Sequence, residues 1–128
     1  MELEKEIAII VISSIASGIL GVLISISYHR KSDQKRTKMD VLRNLAGNRH
    51  NSNGDDFTKA LNEIFVVFNK SKKIQTLVND LHTKISLKQE HVDTKLYELF
   101  IALCKDLKIN TSAYNESSFM NVFNIRKQ

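Results

Sequence analysis

Residues 7–28 read IAIIVISSIASGILGVLISISY, and this stretch decides the fold class. Its 22 residues hold no ionisable side chain before the closing Tyr28. As a helix it is about 33 Å long, enough for a hydrocarbon core of about 30 Å. Serine hydroxyls inside it do not oppose insertion, because each can bond a carbonyl one turn back. A soluble core helix apolar on every face needs a large protein around it. Roughly 100 residues follow, too few to enclose it.

A cleaved signal peptide is the competing reading. Ser25-Ile26-Ser27 offers small residues at cleavage-like spacing. The flanks disagree: MELEKE carries Glu2, Glu4 and Glu6 against Lys5, an acidic leader where a signal peptide has a basic one. The apolar run also exceeds the usual 7–15 residues. The stretch is therefore expected to be a retained transmembrane helix. Small residues recur along it at Ser13, Ser17, Gly21 and Ser25, every fourth position. That spacing lets two helix backbones approach closely, so self-association through this face is expected.

Working outward, residues 1–6 form a short acidic terminus, and residues 29–38 form a basic stalk with Arg30, Lys31, Lys35, Arg36 and Lys38 opposed by Asp33. Cations stay on the cytoplasmic side. The expected topology is an inner (plasma) membrane protein with its N-terminus outside and residues 39–128 in the cytoplasm. Of the net charge of +5, the stalk contributes +4, the leader −2 and the remainder +3. The stalk cations set topology, and they also suit an anionic leaflet at about 1 kcal/mol each. Both readings stay open.

The cytoplasmic part is expected to be all-α. The chain has no proline and only four glycines, too few turn residues for a sandwich or barrel. Met39, Leu42, Leu45 and Ala46 make an apolar stripe on a helix that continues out of the membrane. His50 to Asp56 is a loop by composition, and Asp55 or Asp56 is the expected N-cap of the next helix. That helix carries Phe57, Ala60, Leu61, Ile64, Phe65, Val67 and Phe68. Ser71 caps a third with Ile74, Leu77, Val78, Leu81 and Ile85. Val92, Leu96, Leu99, Phe100, Leu103 and Leu107 mark a fourth, with Cys104 beside that face. The tail from Asn110 is less regular, with a last turn expected from Ser117 carrying Phe119, Met120, Val122 and Phe123. The expected architecture is one anchor plus a small antiparallel helical bundle.

The stretches KMDVLRNLAGNRHN, FTKALNEIFVVFNKSKKI and DTKLYELFIALCKDLKI, following an anchor and charged stalk, resemble a family of small bacterial membrane-anchored proteins catalogued only as a domain of unknown function. The resemblance runs over roughly residues 38–110. It rests on Asn48-Arg49-His50-Asn51 at a helix end, Ala60-Leu61-Asn62, and Val66-Val67-Phe68. It implies a compact helical domain on a single span and brings no substrate, cofactor or catalytic residue.

Candidate chemistry is sparse. No two of His29, His50, His82 and His91 stand four apart on a helix, so no metal pair is indicated. Glu90, His91 and Asp93 are better read as a solvated helix start. Cys104 reads as a small buried hydrophobe rather than a nucleophile. Glycines after the span are too far apart for a phosphate loop, and the cations are not interleaved with aromatics as nucleic-acid binding needs. Arg49 continues an apolar stripe and needs partners, for which Asn62 or Glu63 across the loop are candidates. Arg49, His50 and Asn62 are thus either a buried polar tie or an interaction site.

The leading expectation is a non-enzymatic single-pass membrane protein, without metal or cofactor. Its cytoplasmic domain would bind a protein partner or a second copy. An accessory or phage-defence role suits the layout by analogy alone. A pore-forming effector that oligomerises through its span, and an enzyme with an unrecognised site, are the alternatives.

Overall fold

A computed structural model describes residues 1–121. It is all-helical among those residues, in the order α1 (Glu2–Gly47), a 3-10 turn (Arg49–Asn51), α2 (Asp55–Val67), α3 (Lys72–Ser86), α4 (Val92–Asp106) and α5 (Glu116–Met120). The chain divides into two compact units, Met1–Gln34 and Lys35–Gln128.

The first unit is the apolar part of α1. No breaker interrupts the helix from Glu2 to Gly47, so the basic stalk is helical throughout. Within the span, twelve Ile, Leu and Val side chains are exposed, Ile19 at 56% and Leu23 at 57% among them. Moving such a side chain out of water is worth about 1.5–3 kcal/mol when complete. Twelve at about half exposure amount to roughly 10–20 kcal/mol, as much as a whole domain's stability. By length and composition this helix is long and apolar enough to cross a membrane. Ser14 Oγ donates to the Ile10 carbonyl at 2.9 Å, the back-bond that makes a serine tolerable in lipid.

The second unit has one core. The last turns of α1 contribute Val41, Leu42 and Leu45. From α2 come Phe57, Ala60 and Ile64, with Phe68 just past its end. From α3 come Ile74, Val78 and Leu81, and from α4 come Leu96, Leu99, Phe100, Ala102, Leu103 and Cys104. The α3 and α4 stripes pair most extensively, as the spacing of their apolar residues predicts. Several expected stripe positions sit at the rim instead: Ile85 is 47% exposed, and Met39, Ala46, Leu61, Phe65, Val67, Leu77 and Val92 are partly buried against the core. Val41, outside the expected stripe, is buried.

The helix ends explain how a chain without proline turns so often. Gly54, not Asp55 or Asp56, is the N-cap of α2, extended and with no side-chain cap. A Cβ there would lie 2.9 Å from Asn51 Cγ and 3.1 Å from its carbonyl oxygen, so a larger residue requires Asn51 to shift. Asp55 and Asp56 occupy the first turn instead, where their charge meets the positive end of the helix dipole. Ser71 caps α3 as expected, its Oγ accepting from the Ile74 amide at 3.3 Å.

Helices α3 and α4 both end in Schellman turns. Gln89 N donates to Lys84 O at 2.9 Å and Lys88 N to Ile85 O at 3.2 Å. Ile109 N donates to Cys104 O at 2.8 Å and Lys108 N to Lys105 O at 3.1 Å. The left-handed position that usually carries glycine holds Lys88 (φ 48°) in one turn and Lys108 (φ 57°) in the other.

The tail is tied back. Asn115 caps α5 by accepting from Ser118 N at 2.7 Å. Phe119 is buried and stacks on Phe100 with ring centroids 4.5 Å apart. Tyr97 OH donates to the Tyr114 carbonyl at 3.1 Å. The last turn thus begins one residue before Ser117. Val122 and Phe123, expected to extend it, lie outside the described residues.

Candidate functional site

Arg49 sits where the polypeptide leaves α1. Its Nε donates to the Phe119 carbonyl at 2.6 Å, and its Nη1 donates to the Ala46 carbonyl. The guanidinium carbon lies 5.2 Å from the centre of the Phe119 ring. One side chain thus closes the C-terminus of α1 and pins α5 to it. The expected partners, Asn62 or Glu63, are not used. Glu63 faces Lys59 one turn away at 4.0 Å, and Asn62 is exposed on a different wall of the domain. The reason is reach: the 3-10 turn directs Arg49 back along α1 and toward the tail, which shares no sequence signal with it. His50 Nδ1 lies 3.0 Å from the Gly47 carbonyl, a second local closure of α1. Arg49, His50 and Asn62 therefore do not converge on one site. The first two make a structural knot.

Lys38 is also committed to the domain. Its Nζ is 2.8 Å from Asp106 Oδ2 and 5.1 Å from the Phe68 ring centre, and both charged side chains are only 26% exposed. It is thereby withdrawn from the lipid-facing cations expected from sequence. Arg30, Lys31, Lys35 and Arg36 are all exposed. Along the span, Ser13, Ser17, Gly21 and Ser25 are exposed as well, and a Cβ on Gly21 or Gly18 would meet nothing within 4 Å.

The described residues of the second unit carry several concave surfaces, of which two bear on the candidate residues. An open groove is lined by Val41 of α1 and by Asn62, Val66 and Val67 of α2, with Val66 72% exposed. A more enclosed cavity of about 250 Å³ lies between the Arg49 turn, α3 and the start of α4. Its walls are apolar at Phe57, Leu81, Ile85, Leu96 and Met120, and its charges are Arg49, Lys84, Lys88 and one acid, Asp93. Lys84 Nζ touches the Glu90 carbonyl at 3.3 Å. The N-cap of α4, His91, is left-handed (φ 64°) and gives no side-chain cap, so the first-turn amides of α4 are not closed by it. The sequence hid this cavity because its cations come from separate elements. Lys84 lies in the last turn of α3 and Lys88 in the left-handed turn that follows it.

Among the described residues no cluster of three or more His, Cys, Asp and Glu is arranged to hold a metal ion. His82 and His91 are exposed. Cys104 is buried at 1% exposure, and burial pushes its thiol pKa up, away from the thiolate a nucleophile needs.

No curated protein and no solved structure matches the chain. A family model does, described as a family of unknown function, DUF6680. It covers residues 1–117, taking in the apolar N-terminal helix and the helical domain up to the start of α5. The chain therefore belongs to the DUF6680 family.

Proposed function

We propose that this protein is a single-pass membrane protein whose helical domain stands in the cytoplasm and binds a protein partner there. The observation that carries the reading is the first unit of α1. Its Ile, Leu and Val side chains from Ile7 to Ile26 are exposed, and four exposed cations follow in residues 30–36. Lipid satisfies the first set. The positive-inside rule places the second on the cytoplasmic face and the acidic leader outside. The same cations are suited to the anionic leaflet.

The domain's part in this reading is adhesive rather than catalytic. A protein partner is favoured because the domain offers open helical surface, including exposed Val66, and its histidines and cysteine form no reactive arrangement among the described residues. Self-association through Ser13, Ser17, Gly21 and Ser25 belongs to the same reading. The open space beside Gly21 leaves room for a second backbone.

Two reporters test the topology. A C-terminal fusion active only in the cytoplasm should be active, and one active only in the periplasm should be silent; the reverse pattern refutes the orientation. Crosslinking of the full chain in native membranes tests the partner. A reproducible heteromeric adduct supports the partner, self-adducts alone support only the self-association, and monomer alone contradicts both.

A further inference from the structure

We propose that the cavity between the Arg49 turn, α3 and the start of α4 binds a small organic anion: one phosphate or carboxylate group on an apolar body. This goes beyond the anchoring role and does not rest on it.

Three features of the cavity converge on that ligand class. The first is volume. A dry cavity of about 150 Å³ accepts a benzene ring, so about 250 Å³ accommodates a ring or short chain with a tetrahedral or planar head group. The second is the lining. Phe57, Leu81, Leu96 and Met120 supply an apolar interior that inorganic ions do not need and that a ligand's apolar body does. The third is charge. Arg49, Lys84 and Lys88 face one carboxylate, Asp93.

The polar groups are placed to serve a head group. Arg49 spends Nε and one Nη1 hydrogen on the Phe119 and Ala46 carbonyls. A guanidinium has five N–H donors, so its Nη2 hydrogens remain for a ligand once the knot has fixed its plane. Lys84 bonds a single carbonyl at 3.3 Å, a long contact that a charged acceptor would outcompete. Val92 and Asp93, the first two residues of α4, line the same cavity beneath an N-cap that supplies no acceptor. The positive end of a 15-residue helix thus adds to the three cations. Asp93 opposes them, which makes its removal diagnostic: neutralising an acid weakens a cation site and strengthens an anion site.

The test uses the full chain in non-ionic detergent, with methyl groups of Ile85, Val92, Leu96 and Met120 followed by NMR during titration. The probe is phenyl phosphate; inorganic phosphate stands in for its anionic half and benzyl alcohol, a neutral aromatic of similar size, for its apolar half. Expected are saturable shifts at these methyls with phenyl phosphate, at concentrations at least about fivefold lower than with either half. Lys84→Gln with Lys88→Gln should weaken binding about fivefold or more, and Asp93→Asn should tighten it about threefold. Lys84→Gln alone serves if the double variant loses its native spectrum. The proposal is overturned if phenyl phosphate gives no saturable shift up to about 10 mM. It is overturned equally if benzyl alcohol or inorganic phosphate binds as well as phenyl phosphate, or if Asp93→Asn weakens binding.

Discussion

Replacing Arg49 by Met should loosen the domain by about 2–3 kcal/mol, and the loss should be felt first at α5. Methionine keeps much of the stem's apolar contact and removes the head group. What is lost is two hydrogen bonds from a charged donor, to Phe119 O and Ala46 O, and the guanidinium over the Phe119 ring. A hydrogen bond to a charged group contributes about 1.5–3 kcal/mol and a partly exposed cation–π contact about 0.5–1 kcal/mol. The terms share one side chain and do not add fully. Arg49 is also only half-buried, so its released acceptors regain some water. The sum is therefore discounted to the range above. For a domain near 100 residues each kcal/mol moves Tm by about 4–8 °C, which predicts a drop of roughly 10–20 °C. Circular dichroism of the full chain in detergent reads the helical loss of the domain. Hydrogen exchange at residues 116–120 reads the release of α5. Arg49→Lys should recover little, because one ammonium cannot reach both carbonyls while lying over the ring. A loss below about 0.5 kcal/mol, a typical surface substitution, would refute the knot. So would exchange at α5 equal to that of the wild type.

The Schellman turns predict the opposite sign: Lys108→Gly should stabilise the domain by about 1 kcal/mol, since it relieves a left-handed lysine with φ 57°, and denaturant titration checks it. Leu103→Ala, at a side chain with no exposure, should cost about 2–5 kcal/mol by the same measurement. The raised pKa of Cys104 reflects a folded state that favours the neutral thiol. Its contribution is therefore complete below the unfolded value of about 8.5 and lost as pH rises toward the higher folded value. A thiol reagent should label Cys104 only as fast as the domain opens. In the span, Gly21→Ile should weaken self-association about tenfold, equivalent to about 1–2 kcal/mol, while Leu20→Ile leaves it unchanged in a membrane two-hybrid assay.

The long apolar helix was legible because its signal is local: twenty-two residues without charge fall inside one unbroken helix, long and apolar enough to cross a membrane. The α3 and α4 stripes were legible for a similar reason: Ile74, Val78 and Leu81, and Leu96, Leu99 and Leu103, repeat at the helical period and end up in the core. The N-cap of α2 was misjudged because Asp is the commoner cap. What displaced it was the close approach of Asn51 to Gly54, a contact made by the preceding turn. The turns at Lys88 and Lys108 were invisible in sequence, because lysine carries no turn signal. Contacts from the end of α1 were hidden by distance: Arg49 meets Phe119 in the tail and Lys38 meets Asp106 at the end of α4, each across about seventy positions. Phe119 was expected on a last turn, but nothing local in the sequence tells that Arg49 and Phe100 are its partners. The cavity at Arg49, Lys84 and Lys88 gathers residues from separate elements, and of the three only Arg49 was singled out from sequence.

The central claim is that residues 7–28 hold the helical domain on a membrane, and alkaline carbonate extraction tests it most directly. Membranes from cells producing the full chain are washed at high pH, which strips proteins held by charge and retains those that span. The account predicts that the protein stays in the pellet and is released only by detergent. It also predicts that Leu20→Arg combined with Ile24→Arg, costing about 2.5–3.5 kcal/mol for each cation near mid-span, moves much of the protein to the supernatant. Recovery of most of the wild-type chain in the carbonate supernatant would contradict the account.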